Sequence, residues 1–283
     1  MVTRQSSKDP YGLFHLTLNR LPGESDAEPR TEWMNMGYWE KTDMFPEACE
    51  ALAMKLVQAA RFKAGGKILD VGHGTGESLV FLTSNPGVPR PSYLAGITSI
   101  PSHHKRSETR LAKCIQSLRV GERPETTLYA GDAIYRADAP AHPFHPESTV
   151  SFDAILALDC AYHFNTRNLF LKQSFTHLAP GGRIALADIC FAPDAFQSFS
   201  NVIFTTLFKL MPKSNQITTD GYIQQLEDLG YSEAELEDIT RHVFPSFIRF
   251  LKSRGIGWWV FATILERYVN CGVRFVVVSA CKK

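Results

Sequence analysis

The chain has 283 residues, room for one large α/β domain or two smaller ones, and 44% hydrophobic against 21% charged residues exclude a disordered chain. Thirty basic and 29 acidic residues leave a formal charge of +1, so the overall charge argues against a nucleic-acid partner. No apolar run approaches the roughly 20 residues of a spanning helix, and six scattered cysteines with no C-x-x-C pair, behind a start that lacks an apolar signal core, fit reduced thiols in a cytoplasmic protein.

Residues 1–34 are rich in Pro, Gly, Ser and charge, as in Leu21-Pro22-Gly23-Glu24-Ser25, and read as a loose N-terminal arm whose aromatics could still dock. From Met44 the periodicity of Phe45, Cys49, Leu52, Leu56 and Ala60 predicts a helix, capped by Thr42 or Asp43 and stopped at Gly65-Gly66. Short apolar runs then alternate with helical stretches: KILDV and ESLVFLT, SYLAGIT and KRSETRLAKCIQSL, TLYAG, FDAILAL and TRNLFLKQSFTHL, RIALADI. That alternation predicts a parallel sheet with crossover helices. Between Phe191 and Phe261 lie 9 of the 19 phenylalanines, with Trp258 and Trp259. Within this stretch 194–211 reads as an apolar helix, 219–230 as a second, 234–240 as a strand and 258–272 as a further helix. The β-branched VRFVVVSA reads as a last strand that closes the sheet.

The sharpest local signal is Ile68-Leu69-Asp70-Val71-Gly72-His73-Gly74-Thr75-Gly76-Glu77. A buried strand runs into three alternating glycines and then a helix, which bares backbone N–H groups at the carboxyl edge of the sheet, where α/β folds take nucleotide-like ligands. The dinucleotide fingerprint G-x-G-x-x-G is not met, because Glu77 stands where its last glycine would be, and the next strand ends in Thr98-Ser99 rather than an acid. NAD is disfavoured, and a plain strand-to-helix turn is the alternative to a ligand loop.

Asp70 followed by Gly72, Gly74 and Gly76 resembles motif I of the class I S-adenosylmethionine-dependent methyltransferases. The resemblance continues in order along the chain. Asn35-Met36-Gly37-Tyr38-Trp39-Glu40 is similar to the "GYW" entry segment of the small-molecule branch that holds sterol, tocopherol and sarcosine-type methyltransferases. Gly96-Ile97-Thr98-Ser99-Ile100-Pro101-Ser102-His103 is similar to its "GITLSPEQ" stretch, with His103 in place of the Gln, Gly131-Asp132-Ala133 to its adenine motif, Phe152-Asp153-Ala154-Ile155 running on to Asp159-Cys160-Ala161-Tyr162-His163-Phe164 to its fourth-strand motif, and Leu178-Ala179-Pro180-Gly181-Gly182-Arg183 to its "LKPGGR" turn.

That resemblance implies a Rossmann-like α/β fold: a single domain over 35–283 with a seven-stranded sheet, mostly parallel with an antiparallel last strand, and a helical lid near 191–230 and 244–271. It implies S-adenosyl-L-methionine as cofactor, held by Tyr38, Asp70, Gly72, Gly74, Gly76, Thr98, Ser99, Asp132, Ala133 and Asp159. Three of these have a plainer reading beside them: a helix cap for Asp159, a turn for Asp132, a surface contact for Tyr38. His73 is large for a glycine loop, and its ring is expected to point outward. His163, just past the fourth strand, is the candidate base for a phenol, enol or ammonium, or else a histidine that holds its loop. Tyr162, Phe196, Phe204 and Trp258 are the candidate substrate contacts.

The expected partner is a small apolar or aromatic molecule, methylated first of all on oxygen (phenol, enol or carboxylic acid), with C- or N-methylation and a non-catalytic binding protein as alternatives. Peripheral contact with a membrane is compatible with the aromatic region. No metal is expected, since no His or Cys group has ligand spacing and His103-His104 reads as a solvated pair. A serine hydrolase is excluded by the lack of a G-x-S-x-G elbow.

Overall fold

The computed structural model describes residues 13–21, 23, 28–137, 139, 141–197 and 211–283. The fold grows from β1 (Lys67–Val71), buried along its length past Lys67 because its neighbours lie on both sides. β2 (Tyr93–Thr98) and β4 (Phe152–Leu158) pair with it in parallel, β3 (Glu125–Ala130) lies outside β2, and β5 (Leu178–Phe191) lies outside β4. β7 (Val273–Cys281) runs antiparallel to β5, and β6 (Ser232–Asp238) runs antiparallel to β7, so the seven-stranded order is β3-β2-β1-β4-β5-β7-β6. The terminal run therefore does not close the sheet. It is an inner strand, and β6, with Glu233, Glu235 and Glu237 exposed, is the edge. Charges on an edge strand discourage pairing with other chains.

Helices α1 (Phe45–Ala60), α2 (Glu77–Ser84) and α3 (Pro101–Ser117), with α6 (Thr240–Lys252) and α7 (Ile256–Asn270), contribute to one apolar layer; α4 (Arg167–His177) and α5 (Thr219–Asp228) contribute to the layer on the other face. α1 begins without a side-chain cap: its cap position is Met44, whose amide donates to Thr42 Oγ1. The stretch 244–271, expected to be helical, forms two helices, and the first of them, α6, starts at Thr240. It buries Val243, Phe244, Phe247, Ile248 and Leu251 at helical spacing and keeps Pro245 in its second turn. The Pro180-Gly181-Gly182 corner is looped out within β5, between the Phe152–Leu178 and Ala154–Arg183 pairs.

The N-terminal arm is not loose where it is described. Leu16 and Leu18 of the short turn Leu13–Asn19 are buried, as are Glu32, Trp33 and Asn35. Asn19 ties the two parts together, donating to the Trp33 carbonyl at 2.9 Å and accepting from the Trp33 amide at 2.9 Å. Among the described residues no helix is long and apolar enough to cross a membrane.

Candidate functional site

The order β3-β2-β1-β4 places the ends of four parallel strands side by side, with the chain reversing direction of growth at β1. That reversal leaves a crevice at the carboxyl edge of the sheet, and a cavity of about 510 Å³ lies there. Its floor is built by the segments leaving the four strands: Gly72, His73 and Gly74 after β1, Thr98 and Ser99 at the end of β2, Asp132 and Ala133 after β3, Asp159, Cys160, Tyr162 and His163 after β4.

Gly72 is required twice over. Its φ is +79°, and a Cβ there would lie 2.6 Å from Cys160 Sγ. Bare backbone is the shape that lets a ligand come close. Gly76 serves a different end: a Cβ would meet Ser107 of α3 at 2.7 Å, so this glycine seats α2 against α3 and does not line the cavity.

His73 does not point outward. It is buried, its ring lies over Gly96, where a Cβ would be 2.8 Å from Cδ2, and burial drives its pKa down to about 3. The absence of a side chain at Gly96 makes the room. His103 likewise is not a solvated residue: it is buried and lines the cavity from the first turn of α3.

Two carboxylates sit deep in this region. Asp70 is buried under the loop and does not line the cavity; Ser78, which does, donates to it at 2.5 Å. Burial raises the Asp70 pKa to about 6, against the lowering effect of that hydroxyl. Asp159 does reach the cavity, with φ +57°. Its Oδ2 accepts from the Met36 amide at 2.7 Å, while Oδ1 is buried with no hydrogen-bond partner. Burial holds this carboxyl well above the usual range, against the lowering effect of the Met36 amide and of the Tyr162 hydroxyl. An incompletely satisfied buried acid beside a cavity is the place for a cationic or N–H-bearing ligand group.

The roof is the arm. Glu32 forms a two-pronged pair with Arg106, and its amide donates to Glu77 Oε2 at 2.6 Å, while Arg110 closes a short ion pair with Glu77. Trp33 sets its ring against Phe81, 5.8 Å between centroids. The arm then crosses above Gly74, whose added Cβ would be 3.0 Å from Met34 Sδ, and reaches Asp159.

Away from the glycine loop the wall is apolar and aromatic: Leu18, Trp33, Phe45, Phe247, Trp258 and Phe261. Trp258 packs edge-on against His15, 5.0 Å apart. Of the expected substrate contacts, Trp258 and Tyr162 are in this cavity; Phe196 is not, being exposed against Phe191, and Phe204 lies outside the described residues. Tyr38 is also outside the cavity. It faces His242 with Lys55 above its ring, and its place at the site is taken by Trp33 and Met34, earlier in the same segment. His15, Leu18, Phe45 and Phe247 were missed as site residues, since apolar spacing marks Phe45 as core and nothing local marks the others.

His163 also lines the cavity, following Asp159 and Cys160 in the chain and packing against Tyr162, 4.1 Å between ring centroids. The side chain is exposed, yet the surrounding protein removes enough water to hold its pKa below the usual 6.5, against the opposing pull of Asp188. The ring is therefore mostly neutral near pH 7 and able to accept a proton.

Residues 38–254 match a family described as a methyltransferase domain. Curated relatives include the erythromycin 3''-O-methyltransferase of Saccharopolyspora erythraea, 28% identical over 85% of this chain and 75% of that enzyme, and the 27-O-demethylrifamycin SV methyltransferase of Amycolatopsis mediterranei, 24% identical over 84% of this chain and 78% of that enzyme. Among solved structures, the [4+2]-cyclase SpnF superposes with a TM-score of 0.67 at 17% identity over 95% of this chain and 94% of that one. A geranyl diphosphate methyltransferase in complex with SAM superposes with 0.62 at 16% identity, covering 85% and 88%. These structural likenesses establish the fold, which houses more than one chemistry.

Proposed function

Since this chain belongs to the methyltransferase-domain family, a family of S-adenosylmethionine-dependent small-molecule enzymes, we propose that it methylates a hydroxyl oxygen of a small, largely apolar acceptor, with His163 taking the hydroxyl proton. The observation that carries this reading is that His163 lines the same cavity as Gly72 and Gly74 of the glycine loop and as the aromatic residues Phe247 and Trp258. The relative from Saccharopolyspora erythraea is an O-methyltransferase by name, which supports the same choice of atom.

The cavity suits the cofactor. The half-used Asp159 carboxylate offers a buried acceptor to its ammonium end, the Gly72 and Gly74 backbone can approach it closely, and Thr98, Ser99 and Asp132 place hydroxyls and a carboxylate along the same floor. When bound, S-adenosylmethionine supplies a methyl group already activated on a sulfonium. This chain's residues then have to align the acceptor in line, keep water out and receive one proton. Trp33, Phe45, Phe247, Trp258 and Phe261 hold an apolar ring system and exclude water; His163, mostly neutral, accepts the proton as the hydroxyl oxygen attacks.

The test is incubation with methyl-labelled S-adenosylmethionine and a panel of phenols, enols, aliphatic alcohols, carboxylic acids and amines, with products identified by mass and by the site of label. Label on a hydroxyl oxygen supports the proposal. Label exclusively on nitrogen or carbon, or cofactor binding with no turnover across the panel, would overturn it.

A further inference from the structure

One buried group of polar side chains lies outside the cavity and is not used by the chemistry above. Arg167, Asp188, Asn215 and Tyr222 are each at most 1% exposed. Arg167 pairs with Asp188 at 2.8 Å, donates to the Ile189 carbonyl at 3.0 Å and lies over the Tyr222 ring at 4.4 Å, while the Tyr222 hydroxyl donates to Asp188 at 2.7 Å. Burying an ion pair costs desolvation on both partners, so such a pair seldom exists for stability alone.

Asn215 shows what the pair supports. It comes from the connection between β5 and α5, 48 residues beyond Arg167, whose amide donates to Asn215 Oδ1 at 2.9 Å and whose guanidinium donates to the Asn215 carbonyl at 2.6 Å. The two Nδ2 hydrogens of Asn215 go to the carbonyls of Tyr162, at 3.0 Å, and Phe164, at 2.6 Å. Those are the residues on either side of His163. The single turn Ala161–His163 is too short to hold itself in place, and among the described residues its own backbone makes two further bonds, from His163 N and Phe164 N to the carbonyls of Cys160 and Ala161.

From this bracket we infer that Asn215, braced by the Arg167–Asp188 pair, is a positioning residue for His163: it holds the peptide unit that precedes His163 and the one that follows Phe164, and so sets where the ring meets the acceptor hydroxyl. A side-chain amide is suited to the role, since one planar group supplies two donors and an acceptor. The inference rests on His163 being the proton acceptor. A misplacement of about 1 Å in such a group can cost on the order of a hundredfold in rate.

The experiment uses the full chain with Asn215→Ala, the milder Asn215→Ser, His163→Ala and the double variant His163→Ala/Asn215→Ala. Single-turnover rates are measured between pH 5.5 and 8.5 with the best acceptor from the panel, and S-adenosylhomocysteine binding is measured by calorimetry to confirm a folded site. Expected is a rate loss of ~10-fold to ~100-fold for Asn215→Ala, less for Asn215→Ser, with product affinity within ~2-fold, and a loss under ~2-fold when the same change is made in the His163→Ala background. Equal losses in both backgrounds would overturn the inference, because Asn215 would then act without His163. A His163→Ala enzyme at the wild-type rate would instead overturn the reading of His163 as base, and the inference with it. A readout free of any acceptor is the His163 Cε1–Hε1 resonance of the S-adenosylhomocysteine complex, assigned from His163→Ala. It should shift or broaden in Asn215→Ala, and an unchanged signal overturns the inference.

Discussion

Gly72→Ala tests the glycine loop by the one contact that explains it. The substitution forces an L side chain to φ +79° and puts its Cβ 2.6 Å from Cys160 Sγ and 3.2 Å from Cys160 Cβ. A left-handed L residue costs about 1–2 kcal/mol, and an overpacked contact adds about 1–3 kcal/mol, so unfolding free energy should fall by about 2–5 kcal/mol. The two parts separate experimentally. Cys160→Ala removes the sulfur that crowds the new methyl but leaves the backbone strain, so a double-mutant cycle in urea should return about 1–2 kcal/mol of favourable coupling. Beyond stability, a methyl at Gly72 pushes against Cys160, which lines the same cavity, and with the cofactor held as proposed, affinity for S-adenosylhomocysteine should fall at least ~10-fold, or ~1.4 kcal/mol. Gly131→Ala is the control: its nearest neighbour to an added Cβ is Ile97 Cδ1 at 3.6 Å, an ordinary contact. A Gly72→Ala protein as stable as wild type, or a cycle additive within ~0.5 kcal/mol, would refute the account of the loop.

His163→Ala should lower turnover about 100-fold with little change in S-adenosylhomocysteine affinity. Because the imidazole pKa lies below 6.5, wild-type turnover should rise with pH on a limb under pH 6.5 and then level off; a flat profile from pH 5.5 to 8.5 with an active variant removes His163 from the reaction. Asp70→Asn should stabilise the ligand-free protein at pH 8 by up to about 3 kcal/mol, since a carboxyl raised from 3.8 to about 6 favours folding in full below pH 3.8 and loses that contribution as pH rises through 6. Urea midpoints at pH 4 and pH 8 decide it, and an equal change at both pH values would show that burial of Asp70 is not the cause. Trp258→Ala should raise the acceptor KM by ~10-fold and leave cofactor affinity alone, because it belongs to the apolar wall; loss of cofactor binding instead would place it on the other side of the site.

Local chemistry carried most of the fold and half of the site. The cavity-lining glycines and strand-ending polar residues Gly72, Gly74, Thr98, Ser99, Asp132 and Asp159 were legible because a sharp strand-to-helix turn, or a polar group at a buried strand's end, is a requirement met within a few residues, whereas Asp70, expected beside them, is buried beneath the loop. Strand and helix alternation, which rests on side-chain periodicity, likewise announced the parallel sheet and most helices. The strand order did not follow from it: the dense β-branched run of β7 suits an inner strand, and the acidic β6 took the edge, which depends on what pairs with each side. The roof and the acceptor wall were decided by contacts between distant residues. The Met36 amide reaches Asp159 across 123 residues, Glu32 reaches Arg106 across 74, and Asn215 reaches the Tyr162 carbonyl across 53. No local pattern encodes such pairs, so Tyr38 was chosen where Trp33 and Met34 stand, and Phe196 where Phe247 stands. His73 shows the same limit within the glycine loop itself: its direction was set by the bare Cα of Gly96 on the neighbouring strand, a vacancy that exists only once β1 and β2 are paired.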